Sequence, residues 1–287
     1  MMRSTRLGTI GLWLFSIVAF VAPAAAQHPV RVLPNVPYLQ GASYADDKGK
    51  LDLFVPADMQ GFPVILMLHG GALRAGDKTS LEAVGRRFAS EGVGMAVTNY
   101  RLSPTVMHPG HIEDVAAAFA WLKANVAEHG GDPSQLFVMG HSAGAYMAAL
   151  LVLDDRYLQG RGVSVSDVRG SIPLAGFFYV DRIAADRPKD VWGTEESAWV
   201  AASPHTYLEG ASVPMLLIYA DGDDEWRRAQ NDEFTDALRA AGLAHVRREE
   251  VADRTHGTLV SRLADEQDSA RTLVIQFVKQ IAGGGTE

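Results

Sequence analysis

Cysteine is absent from all 287 residues. Its absence excludes disulfides, a thiolate nucleophile, cysteine-bound zinc and lipid attachment through an N-terminal cysteine. Positive charge is in deficit, with 26 Lys and Arg against 34 Asp and Glu and a net charge of −8. That removes the electrostatic case for nucleic acid. No G-x-G-x-x-G or G-K-[ST] phosphate loop occurs, and no other motif calls for a cofactor. After the N-terminus no apolar run is long enough to span a membrane as a helix. Internal repeats and low-complexity tracts are missing too, apart from the "GGG" near the C-terminus.

What is present is ordinary for a folded chain. Hydrophobic residues make up 47% and charged ones 21%, enough apolar material for a large core. The first 26 residues stand apart. Arg3 and Arg6 precede an apolar run to about Val21, and Ala24-Ala25-Ala26 follows. This is the tripartite layout of a secretory signal peptide, with cleavage expected after Ala26. The mature chain is then 27–287, read as a single domain. Losing Arg3 and Arg6 and no acid takes its net charge from −8 to −10. The expectation is an exported protein, periplasmic or secreted, with no stable membrane anchor once the leader is removed. The sequence fixes no oligomeric state.

Within that domain short apolar runs alternate with amphipathic stretches. The strand candidates are "KLDLFVP", "FPVILMLHG", "VGMAVTNY", "SQLFVMG", "GSIPLAG", "VPMLLIYA" and "HVRREEV". The middle ones are apolar throughout, as parallel strands covered on both faces must be. Helices are expected over 79–90, 112–128, from Ser142 to about Leu153, 231–241 and 269–281. Strand and helix in alternation predict an α/β fold: an open, mostly parallel sheet with helices on both faces. Functional groups in such sheets collect at the carboxyl ends of the strands. The stretch 177–213 breaks the rhythm. It is long, irregular and rich in large aromatics, and it reads as a lid-like insertion or as an extended crossover.

Chemistry concentrates at four strand ends. "VMGHSAGAY" places Ser142 between Gly140 and Gly144 after an apolar strand and before a small-residue helix. A serine at a sharp strand-to-helix turn projects its hydroxyl from the sheet, and tiny neighbours two residues either side prevent collision. This is the G-x-S-x-G nucleophile elbow; alone, it could be merely a tight turn. A serine needs a base. Of nine histidines, His256 in "DRTHGTL" follows the last predicted strand, where a late base is required. His69 and His141 adjoin other motif residues. His108 and His111, with Glu113 and Asp114 behind them, read as a helix start in preference to a metal site. The base needs a carboxylate. "PMLLIYADGDDEW" offers Asp221, Asp223 and Asp224. Asp223 is preferred because it stands far enough out to reach His256. Gly70 and Gly71 in "LMLHGGALRAGDK" would let backbone N–H groups approach a substrate oxygen, with the Ala143 N–H as a further donor. Neither the histidines nor the "DDEW" cluster has the pattern of a metal site, and no metal is expected.

These stretches, together with "NYRLSP" and "HPGHIEDVAAAFAWLKANVAEHGGDPSQLFVMGHSAGAY", resemble the α/β-hydrolase fold over residues 51–281. Within it they are similar to the esterase and lipase group related to hormone-sensitive lipase. That group often carries a third glycine and an aromatic after His-Gly-Gly; Ala72 and Leu73 stand there instead. Only residues 27–50 lie between the expected leader and Leu51, so no counterpart to the long N-terminal cap of larger esterases is expected. The compact form looks more like small carbohydrate-related esterases and kynurenine formamidase-like hydrolases. The resemblance implies a Ser142–His256–Asp223 triad, an oxyanion hole from Gly70, Gly71 and Ala143, no cofactor, and a small-molecule ester as substrate. Phe177, Trp192 and Trp226 are the expected pocket aromatics, with Trp226 equally able to act as a cover for its loop. Formamide hydrolysis is the alternative. A catalytically silent binding protein of the same fold is the third reading.

Overall fold

The computed structural model describes residues 27–39, 41 and 46–284. The proposed leader, 1–26, lies outside the described residues. Eight strands form one sheet in the order β1-β2-β4-β3-β5-β6-β7-β8. They are β1 Val30–Pro37, β2 Lys50–Pro56, β3 Phe62–Leu68, β4 Gly94–Thr98, β5 Gly131–His141, β6 Val168–Leu174, β7 Met215–Gly222 and β8 Val246–Thr255. β1 and β2 run antiparallel to their neighbours; every pairing from β4 across to β8 is parallel. The central strands are buried on both faces along nearly their whole length, which is why they read as unbroken apolar runs.

Seven strands fall where the sequence places them. β1 was not expected, and its composition explains why. It is half exposed, carries Pro34, and its register breaks between Leu33 and Val36. Proline is tolerated because the strand is a sheet edge. At the other edge, β8 carries Arg247, Arg248, Glu249 and Glu250, charges that discourage pairing with another chain.

The main helices divide between the two faces. α1 (Glu82–Ser90) packs on one face, joined there by the C-terminal helix Ser269–Ala282. α2 (Gly110–Asn125) and α3 (Ala143–Leu153) cover the other, with a later helix over Glu225–Ala240. That later helix begins six residues ahead of the expected Asn231. Its buried positions include Arg227, Gln230 and Asn231 before Phe234 and Leu238. The inward face therefore starts polar, and a search for apolar periodicity finds only its second half.

Those polar residues have inward partners. Arg227 donates to the Ala175 carbonyl and Asn231 to that of Gly176, while Gln230 accepts from the N–H groups of Phe178 and Tyr179. They clamp the start of the segment 177–213, which is built from 3-10 turns and two short helices, α4 over Lys189–Trp192 and α5 over Glu196–Ala201. The helix Glu225–Ala240 is accordingly α6, His256–Ser261 is α7 and Ser269–Ala282 is α8.

Candidate active site

The elbow depends on two glycines that have no room for a side chain. Ser142, between β5 and α3, has φ 56° and ψ −114°, a backbone conformation that side chains adopt only when the surroundings enforce it. A Cβ on Gly140 would lie 2.3 Å from the Gly144 carbonyl carbon and oxygen. One on Gly144 would lie 2.3 Å from the Leu68 carbonyl oxygen. Both glycines are thus dictated by backbone contact. Ser142 N donates to the Leu174 carbonyl, tying the turn to β6.

Asp223 follows β7 and His256 opens α7 directly after β8. His256 Nδ1 stands 2.6 Å from Asp223 Oδ1, and the other Asp223 oxygen accepts from the Ala220 N–H. Burial works to raise the Asp223 pKa. The His256 and Ala220 hydrogen bonds and the nearby charges of His256 and Arg227 outweigh it, so the carboxyl stays below its ordinary range. Its two rivals are occupied elsewhere. Asp221 accepts from the N–H groups of Asp253 and Arg254, stitching β7 to a kink in β8. Asp224 sits exposed ahead of α6. Of the three acids, Asp223 alone meets His256.

The loop after β3 passes beside Ser142. Gly71 and Gly76 have φ of 119° and 106°. Ala72 and Leu73, at the places where a glycine and an aromatic were noted as common, also have positive φ, 55° and 63°. The chain holds this left-handed path without glycine there, and Leu73 is buried beneath it. Tyr100 helps to anchor the loop: its ring stacks on His69 at 4.3 Å, and its hydroxyl donates to the His69 carbonyl. Burial lowers the His69 pKa to about 4, so this ring is neutral near pH 7. Lys78, just past the loop, is buried and pairs with Asp52. The Gly70 and Gly71 N–H groups have no hydrogen-bond acceptor among the described residues. That of Ala143, first in α3, has no intrahelical acceptor. Three donors thus cluster around Ser142, one of them at the positive end of a helix.

Ser142 and His256 line one cavity of about 420 Å3. Gly70, Gly71 and Ala72 form one side of it, and Ser80, Leu81 and Val260 form another. None of the three expected pocket aromatics, Phe177, Trp192 and Trp226, lines this cavity. Phe177 stacks on Tyr146 at 5.0 Å, and Trp192 meets both rings edge-on at 5.9 and 6.0 Å. Phe177 and Trp192 are core residues. Trp226 lines a separate hollow with Arg187 and Glu233, and Arg227 lies over its ring at 4.5 Å. It covers its own loop. The residues that do shape the cavity, Ser80, Leu81 and Val260, carry no sequence signal, because each is an ordinary residue brought there by the fold. In the sequence His141 stands out only as the residue before Ser142, yet it donates to the backbone carbonyl of His256.

Residues 51–169 match the BD-FAE family. Among solved structures, a truncated carbohydrate esterase from gut microbiota superposes with a TM-score of 0.77 at 19% identity, covering 91% of this chain and 99% of that one. Esterase B from Lactobacillus rhamnosis gives 0.75 at 18%, covering 89% and 87%. This chain has the α/β-hydrolase fold. Esterase LipQ of Mycobacterium tuberculosis is 30% identical to this chain over 226 residues, which are 71% of this chain and 53% of LipQ. The chain spans about half the length of the curated relatives it matches.

Proposed function

We propose that this protein of the α/β-hydrolase fold cleaves carboxylic esters through an acyl-enzyme on Ser142. One observation carries the reading. Asp223 and His256, 33 residues apart in sequence, meet at 2.6 Å, and His256 shares a cavity with a strained Ser142. The steps follow from the groups. His256 Nδ1 is held by a carboxylate, so Nε2 is free to take the Ser142 proton as Oγ attacks the acyl carbonyl. The N–H groups of Gly70, Gly71 and Ala143 receive the developing oxyanion. His256 then protonates the departing alcohol oxygen as the carbonyl re-forms. A water molecule, deprotonated by His256, next frees the acid and restores Ser142. LipQ and the carbohydrate esterase support ester over formamide as the substrate class, and the residues needed for catalysis are all present, which argues against a silent binding protein.

The test is hydrolysis of p-nitrophenyl acetate by wild type and Ser142→Ala. The expected loss is roughly 10^3-fold or more with folding retained. An alanine variant that keeps wild-type turnover would overturn the assignment. We further propose export of the 27–287 domain, supported by the basic–apolar–Ala24-Ala25-Ala26 layout at the N-terminus. N-terminal sequencing of the mature protein should begin at Gln27; an intact Met1 would refute export by cleavage.

A further inference from the structure

Two histidines face each other at this site, and the acyl-transfer steps use only one. We propose that His141 is a positioning residue, a rigid spacer that sets the gap between the oxyanion loop and His256. The proposal rests on the reading of Ser142 and His256 given above.

His141 touches both sides of that gap. Its Nε2 lies 2.8 Å from the His256 carbonyl oxygen. A carbonyl only accepts, so Nε2 carries the proton and Nδ1 is left with its lone pair. The two rings stand 4.5 Å apart at 42°. On the other side Nδ1 underlies Gly70. A Cβ built there would come within 3.1 Å of Nδ1, 3.1 Å of the His141 carbonyl oxygen and 3.2 Å of Ser142 Cβ. The oxyanion loop therefore runs directly over His141. The backbone of His141 ends β5 and pairs in register with Leu174 of β6, so the spacer is mounted on the sheet.

His256 needs such support. Its side chain is 37% exposed, and it opens a helix of only six residues. A helix that short is not stable by itself. The Thr255–Thr258 capping box holds its N-terminus, Asp223 orients the ring, and His141 fixes the backbone behind it. An aliphatic residue could fill the same space but would leave the His256 carbonyl without this donor. A permanent cation would oppose the imidazolium that forms on His256. A buried imidazole is neutral and still donates, with its pKa pushed down to about 3 by burial first and by the His256 charge second.

The experiment compares His141→Gln, His141→Asn and His141→Phe with wild type on p-nitrophenyl acetate, with thermal melting as the folding control. Gln can place an amide N–H near Nε2; Asn is too short, and Phe has no donor. Misplacing a catalytic group by about 1 Å costs on the order of 100-fold. Asn and Phe should therefore lose roughly 10- to 100-fold in kcat with KM near wild type, and Gln should recover most of it. A folded Asn or Phe variant with wild-type kcat, or a Gln variant as slow as Asn, overturns the proposal. If Phe does not fold, Asn against Gln decides alone. Amide hydrogen exchange over 256–261 reads the same tether without turnover: faster in Asn and Phe, unchanged in Gln. Equal exchange in all variants would sink the spacer even if the enzyme cleaves some other bond, whereas a wild type inert toward esters with the expected exchange pattern would sink only the function.

Discussion

The turn after β5 and the segment after β6 are both unusual, in opposite ways. The turn is five residues, Gly140 to Gly144, with His141 its one large side chain, held in a strained conformation and bordering a cavity. The segment 177–213 carries many of the large rings and puts them inside, against α2, α3 and α6. Large aromatic rings that look built to grip a ligand are structural, while the ligand-accessible space is lined by histidine, glycine, alanine, serine and two aliphatics, Leu81 and Val260. Large aromatics are the greatest apolar payload a chain can bury, so their density in an irregular segment reports how that segment is fixed down. Variants at the two places should therefore separate cleanly, activity from stability.

The largest expected effect is at the acid. Asp223→Asn keeps the shape but allows His256 the wrong tautomer, and kcat should fall roughly 10^4-fold with little change in melting temperature. Asp224→Asn should remain near wild type. Asp221→Asn should loosen β8 at Asp253 and Arg254 and act on stability before rate. If Asp224→Asn matched Asp223→Asn in kcat, the assignment of the acid would be wrong.

Next come the buried rings. Phe177→Ala and Trp192→Ala each remove a side chain from the Tyr146 cluster and should lower stability by roughly 3–5 kcal/mol, read from urea unfolding. In the folded fraction kcat/KM for acetate esters should be retained. A large loss of kcat/KM with normal stability would restore these residues to the pocket and undo the contrast.

Both regions also bury histidines, and that gives a pH dependence they share. His69 and His141 lie at the site, with pKa values lowered to about 4 and about 3; His108 and His111 lie beneath the segment, both at about 4. Burial is the first cause in each. Free histidine titrates near 6.5, so between about 6.5 and 4 the unfolded chain binds more protons than the native one, and stability falls as pH falls. Each group contributes up to about 1.4 kcal/mol per pH unit in that window. The urea midpoint should be clearly lower at pH 5 than at pH 7. An unchanged midpoint would mean these rings are charged, hence wetter than their packing implies.

How far the sequence reveals all this depends on where the information is local. Ser142 is legible because its turn demands Gly140 and Gly144, two backbone clashes that leave a pattern within five letters. His256 is legible from its position after the last strand. Asp223 is a choice among three neighbours that only the β7–β8 pairing resolves, since Asp221 is taken by Asp253 and Arg254. β1 and the first half of α6 are hidden, the one by Pro34 and partial exposure, the other because Arg227, Gln230 and Asn231 face inward to meet peptide groups. The cavity wall opposite the glycines is hidden altogether. Ser80, Leu81 and Val260 converge from two distant helical segments, and convergence has no local code.

The smallest effects test that wall. Trp226 is the last aromatic from the expected pocket, and it borders a hollow apart from Ser142. Trp226→Ala removes a ring that is half-buried and covered by Arg227. It should cost about 1 kcal/mol or less and leave acetate and butyrate esters equally affected. Val260→Trp adds bulk inside the 420 Å3 cavity itself. It should spare acetate and penalise longer acyl chains, by roughly 10-fold for a lost fit worth 1–3 kcal/mol. The ratio of butyrate to acetate kcat/KM is the measurement. A ratio that moves with Trp226 and stays fixed with Val260 would place the acyl group in the charged hollow beside α6, and the glycine-lined cavity would then hold only the leaving alcohol.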